Sequence, residues 1–179
     1  MSAIVCFATA VTVHAQKATS GPLSADLVYC IQSAPDAQVF ITENDEHNLM
    51  VAPQDNARRQ FWKFIPVEGQ QDVYYVQNTA THRYLSSTIA TGEAGKTAIT
   101  TSNMPVAYFV APNAKAKTAG AWTLSSTDVP NYSDRSKTPM GLNRKGGTSL
   151  VVAWQAGNNN VNSYWWPVAT TDTYEVRPF

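Results

Sequence analysis

The stretch Arg58–Ser86, RRQFWKFIPVEGQQDVYYVQNTATHRYLS, decides the fold of this 179-residue chain. It opens with Gln60–Trp62 and continues as an apolar strand through Phe64–Val67. A second, aromatic strand follows at Val73–Val76, and a polar turn leads to a short third strand at Tyr84–Leu85. Aromatic and β-branched runs bounded by Gly, Gln and Asn clusters are typical of strands and hairpins. The stretch therefore predicts three consecutive strands joined by turns.

Weaker copies of this stretch recur along the chain. The aromatic pair Phe61–Trp62 is repeated as Tyr108–Phe109 and again as Tyr164–Trp165, and each pair opens an apolar strand. Behind each pair lies a similar hairpin of short apolar runs. We therefore expect Trp62, Phe109 and Trp165 to fill the core.

The strand that opens each copy repeats as well. Tyr29–Ser33, Tyr74–Asn78 and Trp122–Ser126 align without gaps. From the middle of each such strand to the next aromatic anchor, the separations are 31, 33 and 41 residues, and an insertion near Val129–Lys137 lengthens the third. A period of this length, with about four short strands per unit, indicates a pseudo-symmetric or closed β architecture of three units.

With these motifs the chain resembles the β-trefoils of the ricin B-type lectin family, whose repeats carry a Gln-x-Trp signature late in each unit. Gln60–Trp62 fits the signature fully, Ala107–Phe109 keeps only its aromatic end, and Ser163–Trp165 keeps the Trp without the Gln. The similarity covers roughly residues 26–170. It implies an all-β fold, a β-trefoil with three pseudo-symmetric four-strand units.

The chain divides into three parts. Residues 1–15 hold an apolar run that ends in Val13-His14-Ala15, which is typical of a secretory signal peptide and its cleavage site. The run is too short to span a bilayer, which takes about 20 apolar residues. Residues 16–25 form a polar lead-in, and 26–179 form a single domain with units at about 26–70, 71–114 and 115–179. We expect the mature protein to be secreted, periplasmic or at the cell surface, and the strand-like Tyr174–Phe179 has no place in the three units.

The charge of the chain limits the partners that it can bind, and its cysteine content limits the disulfides that it can form. Lys and Arg number 13, Asp and Glu number 13, and the formal net charge is zero with the charges scattered. This pattern argues against binding to nucleic acid or to an anionic membrane. Only Cys30 remains after the predicted cleavage, so we expect no internal disulfide and a cysteine packed within a strand.

No motif in the sequence predicts catalysis, a cofactor or a metal. The sequence has no zinc-type ligand spacing and no Gly-rich phosphate loop. The acidic turn Glu43–Glu46 has oxygens that Ca²⁺ could use, but a solvated hairpin tip is the commoner explanation. Asp128 and Asp134 flank one loop, where either a general acid and base or two solvated carboxylates would fit. We therefore predict a protein that is not an enzyme.

The resemblance implies where a sugar would bind. In the resembled lectins a site combines an acid at the first turn, an aromatic after the third strand, and an amide before the Gln-x-Trp signature. In the third unit these places fall on Asn143, Trp154 and Asn162. Asn143 replaces the acid, and Ser163 replaces the Gln of the signature. Trp154 fits either an exposed platform or a buried core position, and this alternative stays open at the level of sequence.

Two functions remain open. The first is a secreted lectin-like module that binds a glycan or polysaccharide weakly through the third unit, with Arg135, Lys137, Arg144 and Lys145 either favouring an acidic glycan or forming a solvated face. The second is a protein-binding trefoil, which would be a protease inhibitor acting through a loop such as Val129–Lys137 or a cell-surface interaction module. An exposed Trp154 above a small polar groove would favour the sugar, whereas a rigid projecting loop without such a groove would favour a protein partner.

Overall fold

The computed structural model describes residues 22–55, 58–86, 93–157 and 159–170. The predicted signal peptide at 1–15, most of the polar lead-in and the strand-like Tyr174–Phe179 lie outside these ranges.

Twelve strands make up the described part of the chain, four in each of the three predicted units. The first unit contains β1 (Tyr29–Ser33), β2 (Val39–Glu43), β3 (Leu49–Pro53) and β4 (Phe61–Pro66). The second contains β5 (Val73–Asn78), β6 (Tyr84–Leu85), β7 (Thr101–Ser102) and β8 (Ala107–Pro112). The third contains β9 (Trp122–Ser126), β10 (Met140–Arg144), β11 (Val151–Gln155) and β12 (Trp165–Ala169). Short 3₁₀ turns lie at Arg58–Gln60, Arg135–Lys137 and Val161–Ser163.

Six of these strands close a barrel. Strands β1, β4, β5, β8, β9 and β12 pair antiparallel in that order, and β12 returns to pair with β1. The other six form three hairpins, β2–β3, β6–β7 and β10–β11. Single bridges join the hairpins pairwise, at Asn48 with Thr100, Met50 with Leu150 and Ala98 with Val152. A six-stranded barrel with three mutually bridged hairpins is a β-trefoil, so the predicted fold is confirmed.

In the first and third units a buried tryptophan ties the last barrel strand to the hairpin of the same unit. Trp62 and Trp165 are wholly buried. The indole Nε1–H of Trp62 donates to the carbonyl of Ile41 at 3.2 Å, and that of Trp165 donates to the carbonyl of Leu142 at 3.1 Å. Because a buried indole N–H needs a partner, each Trp fixes the position of one hairpin carbonyl as well as filling the core.

The anchor of the second unit is Tyr108, and the expectation that Phe109 fills the core was wrong. Tyr74 pairs with Tyr108 across β5 and β8, as Tyr29 pairs with Trp62 in the first unit. Tyr108 is wholly buried and its hydroxyl donates to the carbonyl of Ser86 at 2.6 Å, while burial raises the pKa of that hydroxyl. Adjacent residues on a strand point to opposite faces, so an inward Tyr108 places Phe109 outside.

The insertion before β10 folds back onto the barrel through Arg135. The Arg135 guanidinium lies 4.7 Å from the centre of the Phe109 ring and donates to the Tyr132 carbonyl at 2.9 Å and to the Ser125 hydroxyl at 3.2 Å. Burial lowers the pKa of Arg135 to about 10. A cation held in this way is a structural group, so Arg135 is not available to a glycan-binding cluster with Lys137, Arg144 and Lys145, which was one of the two alternatives that the sequence left open.

A buried carboxylate links the first unit to the second. Glu43 at the end of β2 is wholly buried and accepts from the hydroxyls of Thr81 at 2.7 Å and Thr101 at 2.8 Å. His47 Nδ1 lies 2.7 Å from the same carboxylate, and Arg83 Nε lies 3.9 Å away. The acidic turn is therefore not simply a solvated tip, because its first carboxylate is the acceptor on which side chains from two units converge.

Replacing Trp62 tests the anchor. Trp62→Ala should lower the free energy of unfolding by roughly 3–5 kcal/mol, the range for deleting a large buried aromatic side chain. Trp154→Ala is the matched control, because Trp154 is 41% exposed and lies outside the core cluster, so its loss should cost clearly less than that of Trp62. Urea unfolding measures both variants. Equal losses in the two would contradict the assignment of Trp62 as an anchor.

Replacing Glu43 tests the link between units. Glu43→Ala should cost roughly 3–5 kcal/mol, because it leaves two hydroxyls and a histidine without their common acceptor and a nearby guanidinium without its opposite charge. Glu46→Ala, in the exposed part of the same turn, should stay within about 0.5 kcal/mol of the parent. The comparison is made by urea unfolding at pH 7. A Glu43→Ala variant as stable as the control would show that the network carries no stability.

Candidate functional site

A cleft of about 300 Å³ opens on the third unit beside the β10–β11 hairpin. Val152 and Trp154 come from β11, Asn143 comes from β10, and the hairpin turn adds Lys145 and Gly146. The 3₁₀ turn region before β12 adds two amides. Its lining residues are Gly95, Asn143, Lys145, Gly146, Val152, Trp154, Asn160 and Asn162. The structure therefore brings Asn143, Trp154 and Asn162 together in one place.

Trp154 is exposed, which settles the alternative that the sequence left open. In β11 the residues Val151–Ala153 are buried, and Trp154 is 41% exposed. Three consecutive buried residues break the simple alternation of a strand, at the point where the two neighbouring hairpins bridge to Leu150 and Val152. Trp154 and Gln155 are then exposed, and Trp154 lines the cleft.

The ring of Trp154 packs against Gly95, which belongs to the second unit. A Cβ atom on Gly95 would lie 2.8 Å from Cζ3 and 2.9 Å from Cε3 of the ring, closer than carbon atoms approach without clashing. Gly95 has φ of +72°, and its N–H donates to the carbonyl of Ala153 at 2.7 Å. A glycine is thus required at position 95 for two reasons: the backbone has a positive φ, and a side chain would clash with the Trp154 ring. Sequence reasoning missed Gly95 because it lies in another unit.

Asn143 forms the floor of the cleft and has its amide N–H groups already engaged. It is only 5% exposed, and its Nδ2 donates to Ser163 Oγ at 2.9 Å and to Asn160 Oδ1 at 3.3 Å. Ser163 Oγ in turn donates to the carbonyl of Gln155 at 3.1 Å. Oδ1 of Asn143 is the part of this side chain left to accept a hydrogen bond from a ligand.

The first unit explains why Asn143 and Ser163 occur together. There the signature Gln60 donates through Nε2 to Thr42 Oγ1 at 3.0 Å and to the carbonyl of Pro53 at 2.8 Å. Thr42 follows Ile41, and Asn143 follows Leu142, which accept from the two anchoring indoles. In the first unit the hairpin position carries a hydroxyl (Thr42) and the signature position carries an amide (Gln60). In the third unit the hairpin position carries the amide (Asn143) and the signature position the hydroxyl (Ser163), and an equivalent pair of hydrogen bonds forms. The two departures from the family pattern are one coupled exchange.

Two further amides border the cleft. Asn160, which was not among the predicted site residues, donates through Nδ2 to the carbonyl of Gln155 at 2.6 Å and accepts from Asn143. Asn162 is half-buried, and its side-chain amide has no partner among the residues that the structure describes. Asn162 is thus the lining amide whose donors and acceptor are both available to a ligand.

Charges around the cleft are unequal. Lys145 is exposed and lines the cleft, and its ammonium has no ion pair within the described ranges. Arg144, its neighbour in sequence, instead pairs with Asp36 of the first unit at 3.0 Å. No carboxylate is among the lining residues named above. The charge that the cleft offers is therefore a single cation.

The acidic residues that the sequence suggested for a metal or for acid–base chemistry lie in or beside turns. No group of three or more His, Cys, Asp or Glu side chains is placed to hold a metal ion in the described parts of the chain. Asp134 caps the 3₁₀ turn Arg135–Lys137 and accepts from the backbone N–H of Ser136 at 2.9 Å; hydrogen bonds from Ser136 lower the pKa of Asp134. In those same ranges, no helix has the length and apolar character needed to cross a membrane.

Three solved structures are similar to this chain. The Polyporus squamosus lectin, solved with a human-type influenza-binding epitope (Neu5Acα2-6Galβ1-4GlcNAc), is 22% identical with a TM-score of 0.59, over 78% of this chain and 48% of the lectin chain. The Macrolepiota procera ricin B-like lectin, in complex with lactose, is 13% identical with a TM-score of 0.64, over 84% of this chain and 100% of that one. A GlcNAcα1-4Gal-releasing endo-β-galactosidase from Clostridium perfringens is 14% identical with a TM-score of 0.62, over 80% of this chain and 32% of the enzyme.

These similarities concern the fold. The chain spans about half the length of the Polyporus lectin chain and about a third of the endo-β-galactosidase chain. No protein-family profile matches the sequence, and no curated protein matches it. The fold predicted from the Gln-x-Trp repeats, the β-trefoil of ricin B-like lectins, is the one that these structures share with the chain.

The exchange between Asn143 and Ser163 is open to a direct test. Asn143→Thr and Ser163→Gln should each cost about 1 kcal/mol of stability, because each alone breaks the hydrogen bond between the two positions. The double variant restores the pairing of the first unit, so its loss should fall below the sum of the single losses by about 0.5 kcal/mol or more. Urea unfolding of the four proteins measures the coupling. Strictly additive losses would mean that the two substitutions are unrelated.

Proposed function

We propose that this β-trefoil, built like those of ricin B-like lectins, is a carbohydrate-binding module that holds a glycan weakly through the cleft of its third unit. The observation that carries the proposal is the exposed indole of Trp154, set beside amide groups in one small cleft. Asn143, Trp154 and Asn162 are the residues proposed to contact the sugar.

The chemistry of the cleft suits the two kinds of surface that a sugar ring presents. The C–H groups on one face of the ring are apolar and pack against an aromatic platform, here Trp154. The hydroxyl groups need partners that can both donate and accept, and an amide does both. Asn162 offers donors and an acceptor, and Asn143 offers its oxygen. An aromatic surface with a few fixed polar groups is the usual make-up of a small-ligand site.

Binding without reaction is the inferred activity. Glycoside hydrolysis as most enzymes perform it uses two carboxyl groups that flank the scissile bond. The residues that line the cleft include no carboxylate. In the similar endo-β-galactosidase the matched region is 32% of the chain, so the likeness does not extend to that enzyme as a whole. We therefore propose a module that recognises a glycan and leaves it intact.

The affinity expected of this site is low. The cleft has a volume of about 300 Å³ and its platform is 41% exposed, so a single sugar keeps much of its surface in water. A dissociation constant near 1 mM, which corresponds to about −4 kcal/mol, is the scale for such a site. Several sites acting on one polysaccharide would bind more tightly. A location outside the cytoplasm, proposed from residues 1–15, would expose the cleft to such polymers.

The geometry favours sugar over a protein partner. The insertion at Val129–Lys137 is the loop that a trefoil inhibitor would need to project. Arg135 anchors this insertion to Phe109, while Asn131, Ser133 and Lys137 within it are exposed. An exposed Trp154 above a small polar groove was the feature expected of a sugar site. A groove lined by polar side chains lies beside Trp154.

Removing the platform tests the proposal. Trp154→Ala should abolish glycan binding and leave the fold intact, because the indole contributes its surface to the cleft rather than to the core. A glycan array identifies the best ligand for the parent, and titration calorimetry then compares the two proteins on that ligand, with circular dichroism as the control for folding. A folded Trp154→Ala variant that binds as the parent does would remove the cleft from consideration.

Gly95 offers a second test with a matched control. Gly95→Ala should weaken binding about 2–10-fold, the loss expected when an aromatic contact worth roughly 0.5–1.5 kcal/mol is displaced, because the new methyl group pushes the Trp154 ring. Gly69 has φ of +71°, but a Cβ there would meet nothing within 4 Å. Gly69→Ala therefore carries the same backbone strain without the clash. If both variants bind equally well, the ring does not need its support from the second unit.

A further inference from the structure

We infer that the sugar this cleft prefers is anionic, carrying a carboxylate or a sulfate that the ammonium of Lys145 recognises. The inference rests on the proposed function, since it names the class of ligand for the same cleft. It goes beyond that function because Trp154 and the amides by themselves suit a neutral sugar equally well.

The first support is the placement of Lys145. Its N–H donates to the carbonyl of Leu150 at 2.9 Å, and its own carbonyl accepts from the N–H of Thr148 at 3.1 Å and from the Thr148 hydroxyl at 3.0 Å. The backbone of Lys145 is thus fixed on both sides, although the side chain is exposed. A fixed Cα beside the cleft keeps the ammonium within reach of a bound ring, although ordering a lysine side chain costs more conformational entropy than ordering most others.

The second support is that the neighbouring charges are already matched. Arg144 is paired with Asp36 at 3.0 Å. In the turn that carries Gly95, Lys96 and Glu93 pair with each other at 2.5 Å. Lys145 has no such partner in the described parts of the chain. Lys145 is therefore the one charged side chain among the lining residues, and a bound anion would supply the opposite charge that no described side chain supplies.

The third support is the balance of donors and acceptors. No lining residue is a carboxylate, so nothing in the lining repels an anion. The amide N–H groups of Asn162 have no partner among the described residues and can donate to a carboxylate or sulfate oxygen alongside the ammonium. Hydrogen bonds to a charged acceptor are shorter and stronger than neutral ones. Lys145 is therefore assigned the selectivity for charge, and Trp154 keeps the contact with the ring.

Matched pairs of sugars test the inference. Galactose with galacturonic acid, and glucose with glucuronic acid, differ only in a CH₂OH group replaced by a carboxylate. Affinities for both pairs are measured by calorimetry or NMR titration in the parent, Lys145→Gln, Lys145→Arg, Trp154→Ala and the control Lys63→Gln, which removes an exposed lysine from β4. Each titration is run in about 20 mM and about 500 mM NaCl, between which the screening length falls from roughly 20 Å to roughly 4 Å. A 6-sulfated galactose distinguishes sulfate from carboxylate.

We expect the acid of at least one pair to bind the parent up to about 5-fold more tightly than its neutral partner at low salt, the upper range for an exposed ion pair. The advantage should disappear in Lys145→Gln and at high salt, and persist in Lys145→Arg and Lys63→Gln. Equal binding of acid and neutral sugar by the parent, with both lost in Trp154→Ala, would overturn the inference and leave the cleft as a neutral-sugar site. If none of these sugars binds and the glycan array shows no ligand either, both the proposed function and this inference are overturned.

Discussion

Three hydrogen bonds from buried aromatic side chains to backbone carbonyls hold this architecture together. Each joins a strand of the barrel to the hairpin of the same unit, through the indoles of Trp62 and Trp165 and the phenol of Tyr108. Because the donors are buried, breaking such a bond would leave a polar group without water or partner. The anchors therefore specify where each hairpin sits, and the hairpin carrying Trp154 takes its position from Trp165.

Much of the fold could be predicted from the sequence because its signal is local. Each pattern that predicts the fold lies within one repeat: the Gln60–Trp62 signature, the turn residues and the apolar runs of the hairpins. The threefold repetition of these patterns then indicates the closed barrel. The exception shows the limit of such reading. Tyr108 and Phe109 are both aromatic, and the face that points inward depends on the register of β8 against β5, which the pairing of Tyr74 with Tyr108 fixes.

The site could be predicted only in part, for a similar reason. Asn143, Trp154 and Asn162 follow from their places in one repeat, and they meet in the cleft. Gly95 contacts the ring of Trp154 from another unit, and Glu43 joins Thr81 and Thr101 across units. Contacts between units arise from the threefold packing, which a pattern within one repeat does not encode. The roles of Asn143 and Ser163 likewise became clear only beside Thr42 and Gln60, whose hydrogen bonds they reproduce with the groups exchanged.

The contact between Trp154 and Gly95 has a consequence for protein design. A cleft assembled from two neighbouring repeats cannot be transplanted as one repeat alone. The third unit has a glycine of its own at the equivalent place, Gly147, whose φ of +72° equals that of Gly95. A symmetric trefoil made from three copies of the third unit would therefore keep a glycine turn for each of its three indoles. In such a ring every repeat would both present a platform and brace the platform of its neighbour.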